Sequence, residues 1–194
     1  MHLPLTRLIP LIAWLLTMFI APTALAQEQV EVEGATFPTR IEQQGQSYRL
    51  IGSGMFRYLM WDAYAGAYYQ ASDVPEPAPQ SDVPRRLELE YFHAIDAEDF
   101  AKATEDTLRD NLSNDAYQEI RQRVEAFSRQ YRDVVPGDRY TLSWDGTTLS
   151  LALNGERIFE DNDLPLAKAL AAEEPAKLEQ LAQAEAAQEE LKRT

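Results

Sequence analysis

Few side chains in this sequence have the type and spacing that catalysis requires. His93 is the only histidine apart from His2, and no partner stands at metal-ligand spacing from it. The sequence has no Gly-x-Ser-x-Gly elbow, no phosphate-binding glycine loop and no dinucleotide fingerprint. A histidine satisfied by hydrogen bonds within a sheet is therefore favoured over a metal ligand or a general base. We expect no metal site and no cofactor.

Asp62 and Tyr117 are the other candidates for chemistry. Asp62 stands among aromatic residues, so its carboxylate needs a hydrogen-bond partner or access to solvent. A buried general base is one interpretation, and a carboxylate bonded to a tyrosine hydroxyl or a backbone amide is the one we favour. Tyr117 stands at helical spacing from Ile120 and Val124, which fits core packing and a ligand contact equally well.

The stretch at residues 52–69 is rich in aromatic residues and would position these groups. If the stretch is a single strand, alternate residues lie on one side of it, namely Phe56, Tyr58, Met60, Asp62, Tyr64 and Tyr68. The other side is also apolar, so both faces need a cover, one from a second layer and the other from more protein or a ligand. The stretch therefore predicts a core or a binding cleft.

Residues 1–26 have the parts of an export signal. Arg7 precedes an apolar run at residues 8–21, and small residues at Ala24 and Ala26 stand three and one before a cut ahead of Gln27. An uncleaved anchor is the alternative, but the run falls short of the roughly 20 residues that span a bilayer. The sequence has no cysteine for a lipid or a disulfide. We expect an exported protein without a stable membrane anchor after cleavage.

The charge balance is strongly acidic. The chain has 18 Lys+Arg and 32 Asp+Glu and a formal net charge of −14, which becomes −15 when Arg7 leaves with the signal. Such a chain repels nucleic acid and anionic lipid headgroups, so we expect no nucleic-acid partner. Solubility outside the cytoplasm explains the acidity without an acidic-partner site.

The remaining pattern predicts strands, two helices and then strands. Residues 32–37, 47–51 and 85–93 are read as strands, and in the last of them Glu88 and Glu90 are expected to face solvent. Asp96 and Ser113 or Asn114 are candidate helix caps. The apolar stripes of the two helices are Phe100, Thr104, Leu108 and Leu112, and then Tyr117, Ile120, Val124, Phe127 and Tyr131.

The last strands form the clearest pattern. Alternating apolar residues are separated by Asp145-Gly146 and by Asn154-Gly155, which are residues that tight hairpin turns require. The order of elements predicts an α+β domain at residues 27–170, with an antiparallel sheet and helices on one face. The proline-rich residues 72–84 are read as a surface connection rather than a lid. Residues 164–170 predict a short helix, and residues 171–194 form an acidic, Ala/Glu-rich tail.

Several short motifs follow one another in an order that resembles a known family. They are Gly52-x-Gly54, the tyrosines from Tyr64 to Tyr69, Leu87-x-Leu89-x-Tyr91, Asn111-Leu112-Ser113, Val135-Pro136-Gly137-Asp138 and Leu151-Ala152-Leu153-Asn154-Gly155. Over about residues 32–170 the chain is similar to the bacterial chalcone isomerase-like family of exported proteins. The resemblance implies a periplasmic, open-faced β-sandwich: a large antiparallel sheet covered on one face by helices, with a ligand cleft between the two layers.

The resemblance transfers only part of the family's polar site. Plant chalcone isomerases use an arginine and a threonine on the sheet and a tyrosine and an asparagine on a helix; fatty-acid-binding members use the arginine and the tyrosine on a carboxylate. Here Phe56 takes the arginine position, with Arg57 one step later, and Ala63 and Val124 take those of threonine and asparagine. Tyr117 matches the tyrosine. Arg57 reaches the cleft only if a bulge rotates it.

Three functions follow from this pattern. We favour a non-catalytic binder of a small apolar or fatty-acyl ligand, because polar catalytic positions are replaced. An isomerase, acting as an intramolecular lyase on a chalcone-like or other polyphenolic compound through Tyr117 and Arg57, is the first alternative. A periplasmic scaffold or interaction protein is the second. The predicted ligand-binding residues are Phe56, Tyr58, Met60, Asp62, Tyr64, Tyr117, Ile120 and Val124.

We predict that export removes the signal after Ala26 because the apolar run and the small residues match the recognition pattern of a signal peptidase. Intact-mass measurement of the exported protein tests this, with a mature chain beginning at Gln27 as the expected result. A protein that keeps its residues from Met1 onward would contradict the prediction.

Overall fold

The computed structural model describes residues 28–58, 61–75 and 82–170, without the side chains of residues 57, 58, 61 and 62. The elements are β1 (Gln29–Val32), β2 (Ala35–Pro38), β3 (Arg40–Gln43), β4 (Gln46–Tyr58), β5 (Trp61–Ala71), β6 (Arg85–Tyr91), α1 (Ala97–Asn111), α2 (Asn114–Ser128), β7 (Arg139–Trp144), β8 (Leu149–Leu153) and β9 (Glu156–Asp161). Residues 164–170 are also helical, as the sequence predicts.

Strands β3 to β9 form one antiparallel sheet in chain order, and β1 and β2 form a separate pair. The two long helices are inserted between β6 and β7. Apolar residues of α2, such as Ile120 and Val124, belong to the same buried cluster as Tyr140 and Leu151 of the sheet. The predicted α+β architecture, a large antiparallel sheet with helices on one face, is confirmed.

The aromatic stretch at residues 52–69 is not one strand, so that prediction is wrong. β4 and β5 pair antiparallel, with Tyr58 opposite Trp61. The pattern hides this reversal because Leu59 and Met60 carry none of the glycine, proline or asparagine signals that normally mark a turn. As a consequence Phe56 and Tyr64 are cross-strand partners, and their rings stack with centroids 4.9 Å apart.

The β4–β5 hairpin is covered on both faces. On the face away from the helices, Met55, Ala65 and Tyr69 are fully buried in one cluster with Phe37 of β2. The small side chains of the β5 alanines let the separate pair β1 and β2 pack closely against the sheet. On the other face Tyr64 packs against the helix-side core.

Turn geometry separates the strands. The predicted strand at residues 32–37 is instead divided by a turn at Glu33-Gly34, where φ is +48° and +90°. Asn154 and Gly155 form the predicted tight turn, with φ of +51° and +83°. Both turns place two successive residues in the left-handed region, where glycine costs least.

Capping of the helices agrees with the sequence in one case and differs in the other. Ser113 caps α2, since its hydroxyl accepts a hydrogen bond from the backbone N–H of Ala116 at 3.3 Å. Asp96 stands at the start of α1 but makes no side-chain cap. Asp133, from the segment after α2, instead accepts a bond from the N–H of Ala97 at 2.9 Å. This contact ties the start of α1 to the end of the helix pair.

Glu88 of β6 is buried, not solvated as its alternation with leucine predicts. Its carboxylate binds the guanidinium of Arg86 at 2.8 Å and that of Arg139 at 3.0 Å. Arg139 also donates to the carbonyl of Thr36 at 2.9 Å and lies over the ring of Phe37. Because β2 covers this face of the sheet, the charges that alternation directs to solvent are buried beneath it.

We predict that Glu88→Ala lowers the free energy of unfolding by about 3 kcal/mol, because partly buried Arg86 loses its carboxylate partner and Arg139 keeps only Glu90. Urea unfolding followed by circular dichroism measures the loss. Glu125→Ala is the matched control, since the Arg121–Glu125 pair is exposed; such pairs contribute about 0.5 kcal/mol. Equal losses for the two variants would show that the Glu88 cluster is not structurally important.

Candidate functional site

The space between the sheet and the helices holds the predicted ligand-binding residues of α2. Tyr117, Ile120 and Val124 are only 5%, 3% and 0% exposed. They repeat at helical spacing, so all three face the sheet. Between Tyr117 and Val124 the buried face of α2 is therefore apolar except for the phenol oxygen of Tyr117.

Aromatic rings connect the sheet to the helices. The stacked pair of Phe56 and Tyr64 continues to Tyr91 of β6, with ring centroids 5.6 Å apart. Tyr91 then meets Phe100 of α1 edge-on at 5.2 Å. Phe56 and Tyr64, at one end of this row, remain half-buried. The apolar surface at this end is therefore partly open to a further partner.

Where α1 begins and α2 ends, Phe100 stacks on Tyr131 with ring centroids 5.4 Å apart, and the aromatic cluster closes on itself. Tyr131 and Tyr140 pack edge-on at 5.6 Å, and the Tyr131 hydroxyl lies 2.9 Å from that of Thr104. The Tyr140 hydroxyl accepts from the backbone N–H of Arg132 and donates to its carbonyl, both at 2.8 Å. Burial raises the pKa of Tyr140, which keeps this hydroxyl protonated. These satisfied groups fit a structural role.

Tyr117 is different because its hydroxyl meets a cation at the edge of the core. Arg109, in the last turn of α1, donates from Nη2 to the Tyr117 hydroxyl at 3.4 Å. The guanidinium carbon lies 5.3 Å from the centre of the Tyr117 ring. Because the turn between the helices is short, the last turn of α1 and the first turn of α2 are adjacent. This adjacency places a positive charge beside a buried phenol.

Arg109 has donors to spare. Its side chain is 55% exposed, and Nη1 makes a 3.3 Å contact with Asp106. A guanidinium has five N–H donors in a planar fork, of which the contacts to Tyr117 and Asp106 use two. The remainder can bind a planar anion such as a carboxylate, the group that arginine binds best in a bidentate manner.

The sheet-side predictions fall partly outside the described structure. Arg57 pairs with Asp62 across the β4–β5 hairpin, and the register shifts between Phe56 and Arg57. This irregularity is of the kind needed to redirect Arg57. The side chains of Arg57, Tyr58 and Asp62 lie outside the described residues, as does Met60 altogether, so their roles stay predictions.

His93 is not part of the sheet. It lies beyond the end of β6 and is exposed, so its interpretation as a sheet histidine is wrong. Across residues 28–58, 61–75 and 82–170, no three His, Cys, Asp or Glu residues are grouped closely enough to hold a metal ion. Within the same ranges no helix is long and apolar enough to cross a membrane.

Sequence reasoning missed Arg109. It stands next to Leu108 of the predicted α1 stripe, and eight residues before Tyr117. A helix, a two-residue connection and a second helix place those two positions near each other. A search for basic residues in the last turn of the first helix could have found it.

Comparison with known proteins extends these observations. The sequence profile of a family described as chalcone isomerase-like matches residues 29–172. The structure is similar to the crystal structure of a fatty-acid binding protein from Arabidopsis thaliana, with a TM-score of 0.57, 19% sequence identity and coverage of 76% of this chain and 90% of that one. At that identity the similarity shows a shared fold. Among curated proteins, none matches this chain.

Proposed function

This chain belongs to the chalcone isomerase-like family, and we propose that it binds a small amphiphile with an apolar or fatty-acyl tail and does not convert it. The contact between Tyr117 and Arg109 is the observation that carries the proposal. A structure with the same fold is that of a fatty-acid binding protein, which supports a ligand of this class. We further propose, from residues 1–26, that the protein acts in the periplasm.

The head of the ligand would sit at Tyr117 and Arg109. A carboxylate there accepts one bond from the phenol and one or two from the guanidinium, which are charge-assisted bonds. The 3.4 Å separation of Nη2 and the Tyr117 oxygen is long for a hydrogen bond. An anion that bonds to both groups therefore replaces a weak contact by stronger ones. In this arrangement Arg109 supplies the charge that Phe56 cannot supply from the sheet.

The tail would lie between the sheet and α2. Ile120 and Val124 supply an apolar wall on the helix. Phe56 and Tyr64 supply half-buried aromatic surface on the sheet. Each Å² of apolar surface removed from water stabilises the complex by about 25 cal/mol, so packing an acyl chain against these half-buried rings favours binding. Entry requires small side-chain shifts because the α2 residues are already packed.

The replaced polar positions argue against catalysis. Phe56, Ala63 and Val124 carry no hydrogen-bond donor in their side chains where the family resemblance places an arginine, a threonine and an asparagine. An enzyme that moves charge onto oxygen needs such donors in place before the reaction. The isomerase alternative stays open on one observation, since Arg109 beside Tyr117 can also orient a phenolate.

We predict that Tyr117→Phe weakens fatty-acid binding by about 1.5–3 kcal/mol, the value of a hydrogen bond to a charged group. Arg109→Gln is expected to weaken it at least as much because it removes the cation. A fluorescent fatty-acid titration measures the dissociation constants. Tyr64→Trp, which narrows the tail site, is expected to exclude the longer chains.

Arg121→Gln provides the matched control, because Arg121 is an equally exposed helix arginine that pairs with Glu125. It should bind like the wild type. If the wild type binds well and neither the Tyr117 nor the Arg109 substitution changes affinity, the head-group assignment is wrong. If the Tyr64 substitution also leaves the chain-length preference unchanged, these residues are ordinary core.

We also predict that naringenin chalcone cyclises in the presence of this protein at no more than the spontaneous rate. Loss of a single oxyanion donor costs roughly 10²–10³ in rate, and several are absent here. Absorbance decay with and without protein measures the difference. Turnover well above background that Tyr117→Phe abolishes would support the isomerase alternative instead.

A further inference from the structure

The face of the sheet away from the helices carries a polar concavity. It has a volume of about 460 Å³ and lies between the β3–β4 turn and the strands β7, β8 and β9. Ser143, Ser150 and Glu160 are cross-strand neighbours on its floor. They alternate with Trp144, Leu149 and Leu151, which face the helix-side core, and so point to the opposite side. We call this concavity the polar groove.

Curling of the sheet forms the polar groove. Strands β3 and β6 are separated by β4 and β5 in the sheet, yet Nη1 of Arg86 donates to Oε1 of Gln43 at 2.6 Å. This bond holds the β3–β4 turn over the floor that β7 and β8 provide. Tyr48 of β4 is buried beside the groove, and Asp145 lies on the far side of the groove. Burial raises the pKa of Tyr48, and the negative charge of Asp145 raises it further. The groove is thus built from both ends of the sheet.

The lining groups can both donate and accept hydrogen bonds. Side-chain amides come from the β3–β4 turn, and hydroxyls come from β7, β8 and the loop between them. Across the described residues, the side chains of Gln44, Ser143 and Ser150 make no hydrogen bond. Amides and hydroxyls pair with ligand hydroxyls in either sense. Unused groups of this kind, converging on one concavity, suit a ligand that is itself rich in hydroxyls.

Asp145 adds a directed acceptor. Its Oδ1 accepts from the backbone N–H groups of Thr147 and Thr148 and from the Thr147 hydroxyl, all at 2.8 Å. Burial works against the charged form, but these bonds hold the pKa of Asp145 below its usual value. The carboxylate is therefore fixed in place and ionised, and Oδ2 takes no part in these bonds. A fixed carboxylate oxygen of this type can accept from a ligand hydroxyl.

The charge of the groove limits the class of ligand. Asp145 and Glu160 are negative, and Arg157 is paired with Glu160. The lining therefore carries an excess of one negative charge, within a chain of formal net charge −14. Phosphates, carboxylates and nucleotides are disfavoured by this field. An apolar ligand is disfavoured too, since it would leave the polar lining without partners.

We propose that the polar groove binds a neutral saccharide, of the size of a mono- or disaccharide unit. Small-molecule sites have volumes of roughly 300–1,000 Å³, a range that includes this groove. Such sites are usually apolar, so a polar lining selects a ligand whose surface is hydroxyl. The polar groove and the site proposed for an amphiphile, between the sheet and the helices, lie on opposite faces of one sheet. The saccharide proposal therefore does not depend on the proposal of acyl binding.

The test is isothermal titration and saturation-transfer NMR of the mature protein with maltose, cellobiose and N,N′-diacetylchitobiose. At least one of these is expected to bind saturably with a millimolar or lower dissociation constant. Glucuronate, which matches glucose in size but carries a negative charge, is expected to bind more weakly than glucose. No saturable binding of any of the three disaccharides, or tighter binding of glucuronate, would overturn the proposal.

Two substitutions locate the site. Ser150→Leu fills the floor and removes a hydroxyl, and it should weaken saccharide binding at least about tenfold while fatty-acid binding is unchanged. Asp145→Asn keeps the size of the side chain but removes its charge, with a similar loss expected. Gln122→Leu, which replaces a polar side chain on the exposed surface of α2, is the matched control and should bind like the wild type. Wild-type affinity in a folded Ser150→Leu variant would show that the saccharide binds elsewhere.

Discussion

The β4–β5 hairpin imposes the main constraint on this fold, because it is apolar on both faces. Between Met55 and Tyr69 its two strands carry mainly aromatic, alanine and other apolar residues on both sides. Water on either face would sacrifice the burial that makes the hairpin stable. One face is therefore covered by β1 and β2 and the other by the helix-side core. The rest of the chain is arranged to provide these two covers.

The two covers give the sheet two different environments. On the side of β2, the ion pairs of Glu88 with Arg86 and Arg139 continue the apolar contacts of Phe37, and beyond them the surface becomes the polar groove. On the helix side, rings and aliphatic residues fill the space up to Tyr117 and Arg109. One sheet thus separates the site that we propose for an amphiphile from the polar groove that we propose for a saccharide.

Sequence patterns predicted the elements whose local signals are strong. A tight turn requires two successive left-handed residues, and Asn154 and Gly155 adopt that conformation readily, so they mark the turn. The stripe of Tyr117, Ile120 and Val124 marks the buried face of α2. The reversal between β4 and β5 has no such signal, because residues 59 and 60 are as apolar as their neighbours. A long strand and a hairpin then look alike in sequence.

The site was less predictable for a related reason. Burial of Glu88 depends on β2, which bonds to its partner Arg139 only after the chain folds, so alternation within β6 could not reveal it. Arg109 approaches Tyr117 because two helices pack side by side, and that contact is a tertiary one. Local periodicity identifies which residues face the core. It does not identify which charges the fold brings to the core's edge.

We propose that an amphiphile occupies the space between the sheet and the helices when the protein is in the cell. Native mass spectrometry of the protein purified without denaturant from its own host tests this most directly. We expect a complex heavier than the chain by the mass of an acyl or similarly apolar small molecule, which organic extraction releases for identification. A spectrum that shows only the unliganded chain, with no such molecule in the extract, would contradict it and favour a cleft filled by its own side chains.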